Sequence, residues 1–256
     1  MDFISKLVKS GLNSKVIGNQ IQYYDILTST MDEIHKLAKN EMPEGLVVVA
    51  DKQISGRGRQ GTSWVSESGN LLVSILLRPS ADAIHTLQPL MAIAVQKAVI
   101  ETTDLDIYLK WPNDLMISES KVGGILLESA VKDGELQYVI AGLGINLSLS
   151  TKPSDANYSV SDLNTYADSE VDKTVLLKNI IENVDAYYDK IDHPSAILNE
   201  WRSKLDVIGR CINVKCDGNI LYGQVLYISD TGALGFKLDN GEVIDVTTGD
   251  IIEVFE

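Results

Sequence analysis

Apolar positions recur along this chain with two periods, one near 3.6 residues and one near 2, and the switches between them mark out its elements. Ile21 to Leu27, the run Leu46-Val47-Val48-Val49-Ala50, and Asn70 to Leu77 read as strands. Residues 2 to 12 place Phe3, Ile4, Leu7, Val8 and Leu12 on one helical face. Ser29 and Thr30 precede Met31-Asp32-Glu33, with Ile34, Leu37 and Ala38 at helical spacing, which is the signature of a capped helix start. Leu87 to Val99 predicts a strongly apolar helix with its core residues on one stripe. Strands follow around Ile107 to Lys110, Leu115 to Ile117 and Val122 to Ala130, then a turn at residues 132 to 135 and a buried strand over Leu136 to Leu147. Residues 148 to 172 are polar, a loop long enough to be either disordered or a lid, and residues 174 to 191 and 195 to 205 predict two helices broken at His193-Pro194.

From about Gly209 the period shortens again to CINVKC, LYGQVLYIS, ALGFKLD and EVIDVTTGDI, short strands with glycine turns that suggest a small five-stranded barrel of the Src-homology 3 type. The division expected is therefore a domain over residues 1–205 and a β-barrel over 206–256. Arg210, Lys215 and Lys237 are outweighed there by nine acidic residues, and the whole chain carries 22 basic against 36 acidic residues, a formal net charge of -14. That field favours neither nucleic acid nor an anionic membrane. No uninterrupted apolar run approaches the roughly 20 residues that span a bilayer, and no signal-peptide core leads the chain, so a cytoplasmic protein is expected. Cys211 and Cys216 are five apart in a strand and face opposite sides, which predicts free thiols. His35, His85 and His193 are scattered, so neither a zinc site nor a Ser-His-Asp triad is supported.

The chemistry concentrates in residues 51 to 64, DKQISGRGRQGTSW. Gly56, Gly58 and Gly61 allow the backbone to come close to a ligand, and Arg57 and Arg59 add fixed positive charge, so an anion is the natural guest. A solvated surface loop is an equal alternative from these residues alone, although Trp64 at its end calls for a surface to pack on. The second concentration is KWPNDL, followed by KVGGIL. Pro112 presents Asn113 and Asp114 from a rigid turn, and Gly123 and Gly124, unfavourable within a strand, mark close approach of backbone or ligand. Lys121 beside them has the competing explanation of an edge-strand lysine.

GRGRQG with Gln53 before it and Trp64 after it, then KWPNDL, KVGGIL and GLGIN in that order, resemble the signature motifs of the biotin protein ligases. The resemblance covers residues 29 to 147 and implies an α+β fold: a mixed, largely antiparallel sheet flanked by helices, of the class II synthetase-like biotin/lipoyl ligase type, with a small C-terminal barrel. It implies ATP, Mg2+ and biotin as reactants, and a biotin carboxyl carrier domain of a carboxylase or decarboxylase as acceptor. Ser29, Thr30, Met31, Gln53, Arg57, Gly58, Arg59, Trp64, Lys121, Gly123 and Gly124 would surround biotin. Met31 stands where the family often has asparagine. Arg57, Arg59, Lys110, Asn113 and Asn146 would hold ATP, with Asn146 reading adenine, and Arg57, Arg59, Lys121 and Asp114 would carry the chemistry. Some family members carry a winged helix-turn-helix ahead of the catalytic region. Here that region is expected to begin by about residue 20, the type without a DNA-binding domain. A lipoate or octanoate protein ligase, or a biotin-sensing binding protein, is the alternative, and monomer and homodimer stay open.

Overall fold

The computed structural model describes Leu7 and residues 11–66, 68–150, 159–216 and 218–255. The helix expected over residues 2 to 12 therefore lies largely outside the described residues, with Leu7 fully buried. Strand β1 (Ile21–Leu27) leads into helix α1 (Thr30–Lys39), then come β2 (Val47–Gln53), β3 (Leu71–Leu77) and helix α2 (Ile84–Thr103). Two short strands, β4 (Tyr108–Lys110) and β5 (Asp114–Ile117), and the long β6 (Ser120–Lys132) precede β7 (Glu135–Ile145) and the two-residue β8 (Ser159–Val160). Helices α3 (Lys173–Tyr188) and α4 (Pro194–Lys204) follow, then β9 (Cys211–Cys216), β10 (Asn219–Ile228), β11 (Leu234–Leu238), β12 (Val243–Val246) and β13 (Asp250–Phe255).

The first sheet runs β1-β2-β3-β7-β6-β5-β4, with β8 added beside β6. It is antiparallel except for the β1-β2 and β6-β8 pairs, which makes it mixed as expected. The expected small barrel is a five-stranded antiparallel sheet in which β13 returns to pair with β9, giving the order β12-β11-β10-β9-β13.

Alternation along the strands assigns the two faces of the first sheet. Val139, Ala141, Leu143 and Ile145 of β7 join the main core with Val47, Val49, Val73 and Ile75, under α2 and α3. Tyr138 and Ile140 point the other way, into a smaller cluster with Met31, Ile34 and Ala38 of α1. Helix α2 differs from the single stripe expected: it is buried nearly all round, because α3 and α4 cover the sides that the sheet leaves. Among the described residues, Ala81–Thr103 is long and apolar enough to cross a membrane, and it lies mostly buried in this core. Helix α1 has only ten residues, about 15 Å of rise, so it covers part of its face and leaves the strand ends beyond its N-terminus open.

The segment before β1 is fastened by carboxylates of α3 and its C-terminus: Glu182 accepts the Asn13 N–H, Asp189 pairs with Lys15, and Asp185 takes the largest share. Asp185 of α3, 7% exposed, accepts the backbone N–H groups of Lys15, Val16 and Ile17 at 2.8 to 2.9 Å. Asp185→Ala leaves those three donors without their acceptor, and we expect a loss of about 2 to 3 kcal/mol in urea-induced unfolding. A change below about 0.5 kcal/mol would show that the segment is held by its apolar contacts instead.

Candidate active site

The uncovered end of the sheet forms a cavity of about 600 Å³. Its floor is cleared by glycines. Gly124 and Gly144 are register partners on β6 and β7, and Gly142 is one pleat further along the same face. A Cβ on Gly144 would lie 2.4 Å from the Trp64 ring, and one on Gly142 would lie 2.7 Å from Met31 Sδ. The glycine surface is thus filled by Trp64 and Met31, where the sequence suggested a ligand ring lying directly on glycine. Gly123 points to the opposite, helix-packed face, where its Cβ would meet Leu115, and it does not line the cavity. That placement corrects the expectation that both glycines cover the ligand. In a strand, neighbours cannot share a face.

At one end the wall is polar and uncharged. Thr30 donates both its backbone N–H and its hydroxyl to Gln53 Oε1, at 2.7 and 3.0 Å, and its hydroxyl shares a 2.7 Å hydrogen bond with Ser74. Gln53 Nε2 donates to Ser66 Oγ at 3.0 Å. Ser29 occupies the N-cap position of α1 yet makes no side-chain capping bond, contrary to the capping pattern, and lines the cavity together with Thr30, Met31 and Gln53. Ser74 was not singled out from the sequence, since it sits within the apolar run LLVSILL. The lone polar residue at an inward position was its only signal.

The GRGRQG loop folds as a tight hairpin. Gly58 N–H donates to Thr62 O, Trp64 N–H donates to Gly56 O, and Arg57 bridges Ser63. A Cβ on Gly58 would meet Thr62 Oγ1 at 2.5 Å, so the loop closes on glycine there. Arg57 is clamped by two carboxylates, Asp32 of α1 at 2.5 Å and Glu128 of β6 at 3.2 Å. Burial opposes the Arg57 charge, but these two partners more than offset it and its pKa is raised. His35 reaches the same Glu128 at 3.2 Å and Tyr138 at 3.1 Å. Arg59 points elsewhere. Its guanidinium donates to Asn113 Oδ1 and, in the turn between β12 and β13, to Thr248 Oγ1, Gly249 O and Asp250 Oδ1.

Opposite the loop, Lys121 Nζ lies 2.6 Å from Asp114 Oδ1, with both side chains nearly buried, and 5.5 Å from the centre of the Trp64 ring. This pair replaces the edge-strand explanation for Lys121, because β5 covers that side of β6. The turn carrying Asp114 is secured from both sides. Trp111 Nε1 donates to Gly232 O, Asn113 Nδ2 donates to Ile125 O, and the Trp111-Pro112 peptide is cis. Lys110 is not among the residues lining the cavity. Burial lowers its pKa, Lys121 adds to that, and Asp114 and Asp250 oppose it. Asn146 lines the cavity and donates its amide to Ser161 O at 3.0 Å. Asp32, Glu128 and Asp250 were not singled out from the sequence. They are acidic residues in elements otherwise explained by secondary structure, and only the fold brings them to the arginines.

A carved cavity with an uncharged polar end and several basic groups along its rim, on a mixed sheet beside a small antiparallel one, is suited to a ligand with a neutral polar end and an anionic one. The sequence profile of the biotin/lipoate A/B protein ligase family matches residues 23–146. The bifunctional ligase/repressor BirA of Bacillus subtilis is 33% identical over 91% of this chain and 74% of its own length. The human biotin–protein ligase is 28% identical over 95% of this chain but only 35% of its own. The biotin protein ligase of Aquifex aeolicus, solved with biotin and ATP, superimposes with a TM-score of 0.76 at 23% identity, over 93% of this chain and 99% of that one. The chain belongs to the biotin/lipoate A/B protein ligase family.

The floor makes a specific demand. In Gly144→Ala the Trp64 ring must move, so we expect the Trp64 indole N–H resonance, assigned by its loss in Trp64→Phe, to shift clearly. Gly123→Ala, on the other face, should leave it in place. Equal shifts in the two variants would contradict the assignment of faces.

Proposed function

We propose that this chain is an ATP-dependent biotin protein ligase. A carboxylate oxygen of biotin attacks the α-phosphorus of ATP, the bond to the β-phosphate oxygen breaks, and biotinoyl-5'-AMP and pyrophosphate form. A lysine ε-amine of a carrier domain then attacks the acyl carbon, loses a proton, and AMP departs with the electron pair of the broken bond. The observation that carries this reading is a single cavity whose two ends match the two ends of the acid. Ser29, Thr30 and Gln53 offer hydroxyl and amide groups to the ureido ring, with Ser74 buried behind Thr30, and Lys121 and the arginines face the carboxylate and phosphates. Trp64, Met31 and Leu126 supply the apolar walls that the bicycle and its chain require. A lipoyl or octanoyl chain has no polar ring edge to use the first end.

The first step brings one anion to another, and fixed cations lower its barrier by stabilising the charge that builds up on the phosphate. Arg57 and Lys121 are pre-aimed by their carboxylate partners, so little reorganisation accompanies the reaction. Mg2+ would enter on the ATP phosphates, because Asp114 and Asp250, the acidic side chains on the cavity wall, are already paired with Lys121 and Arg59. Asp114 stands where it could orient the incoming ammonium and take its proton. Asn146 would face the base. In this reading residues 1–205 carry the chemistry, residues 206–256 close one side, and the acceptor is a biotin carboxyl carrier domain.

Pyrophosphate release by the purified protein with ATP and Mg2+ tests the proposal. Biotin should support release, and lipoate and octanoate should not. Lys121→Ala should lower the rate on the order of 100- to 1000-fold. Because that change also strands Asp114, its melting temperature is measured alongside, and the rate is compared below the unfolding range. Release with lipoate alone would transfer the chain to the lipoate ligases, and biotin binding with no release would make it a sensor.

A further inference from the structure

The second arginine of the GRGRQG loop is held by a part of the chain that the motifs do not include. Arg59 Nη1 lies 3.0 Å from Asp250 Oδ1 and 3.1 Å from Gly249 O, Nη2 lies 3.3 Å from Thr248 Oγ1, and Asn113 Oδ1 completes the set at 3.3 Å. The turn is built for this. Gly249 has φ 148°, a conformation that L side chains rarely adopt, and a Cβ there would meet Lys215 O at 2.8 Å. Asp250 and, two residues on, Ile252 both line the cavity. Asp250 also acts electrostatically on Lys110, so its carboxylate stands among basic groups of the kind that the phosphates of a nucleotide would seek.

We infer that Asp250 is an internal anion competing with the substrate's phosphates for Arg59, so that the C-terminal sheet sets the affinity for ATP. This rests on the ligase reading above. Of the four acceptors around Arg59, only Asp250 is charged. Asn113, Thr248 and the Gly249 carbonyl are neutral and suffice to keep the guanidinium aimed. The carboxylate therefore adds to Arg59 an attraction that an arriving polyphosphate must overcome, and it repels that polyphosphate directly. Its side chain is 45% exposed, which moderates both effects through solvent screening. Asp250 thus opposes the nucleotide by its charge, both on Arg59 and directly, and its loss should tighten binding.

The test uses the full chain and Asp250→Asn, which keeps an oxygen acceptor and removes the charge. Titration calorimetry with α,β-methylene ATP and Mg2+, which cannot release pyrophosphate, measures nucleotide affinity without turnover. We expect the variant to bind roughly three- to tenfold more tightly, with the affinity for biotin serving as the internal reference. Asp250→Ser should move in the same direction. Equal or weaker binding in Asp250→Asn, opposite shifts in the two variants, or no binding by any of the chains overturns the inference. A wild-type chain that binds the nucleotide but releases no pyrophosphate with biotin defeats the ligase reading, while the affinity comparison still decides the role of Asp250.

Discussion

The ion pair between Lys121 and Asp114 is the constraint around which the site is arranged. Two charges taken this far out of water must stay in contact, since removing one partner of such a pair costs about 3 to 5 kcal/mol. Strands β5 and β6 supply the two groups, and the turn before Asp114 is tied to β6 through Asn113 and to the second sheet through Trp111. Fixing the pair fixes the back wall of the cavity. It also keeps that wall polar, so the uncovered end of the sheet does not close by apolar collapse.

The basic groups facing the cavity share a design. Arg57 is held by Asp32 and Glu128, Arg59 by Asp250, and Lys121 by Asp114. Each positive charge is thereby oriented before any ligand arrives, and each is partly neutralised. An incoming anion gains from the orientation and loses from the neutralisation. The balance differs from group to group with the number of neutral acceptors that would hold it anyway. Arg59 has three such acceptors, whereas Lys121 and Arg57 lean on carboxylates.

Much of this was legible in the sequence because its signals are local. The strands of the first sheet other than β8, which forms within a stretch expected to be loop, the three helices from residue 84 on and the short strands of the tail follow from apolar period and from glycine and proline breaks. The loop announces itself by composition, although β2 runs on to Gln53 and the loop starts only after it. What was not legible depends on which elements meet. Gly123 and Gly124 are equivalent as letters, and only the register with β7 tells which one faces the cavity. Lys110 reads like Lys121, yet it lies off the cavity wall. Asp32, Glu128 and Asp250 carry no local mark at all, and Ser74 only that of a lone polar residue in an apolar run. Their partners lie 25 to 191 residues away along the chain.

That last separation has a consequence for how the protein comes into being. The floor of the cavity requires β7, whose neighbours β3 and β6 precede it, so it can be assembled once residue 145 has been synthesised. Arg59 finds its acceptors only about a hundred residues later, when the turn at Thr248 to Asp250 emerges from the ribosome. A nascent chain thus passes through a stage in which the sheet is complete while one arginine of its loop still has three of its four acceptors unmade.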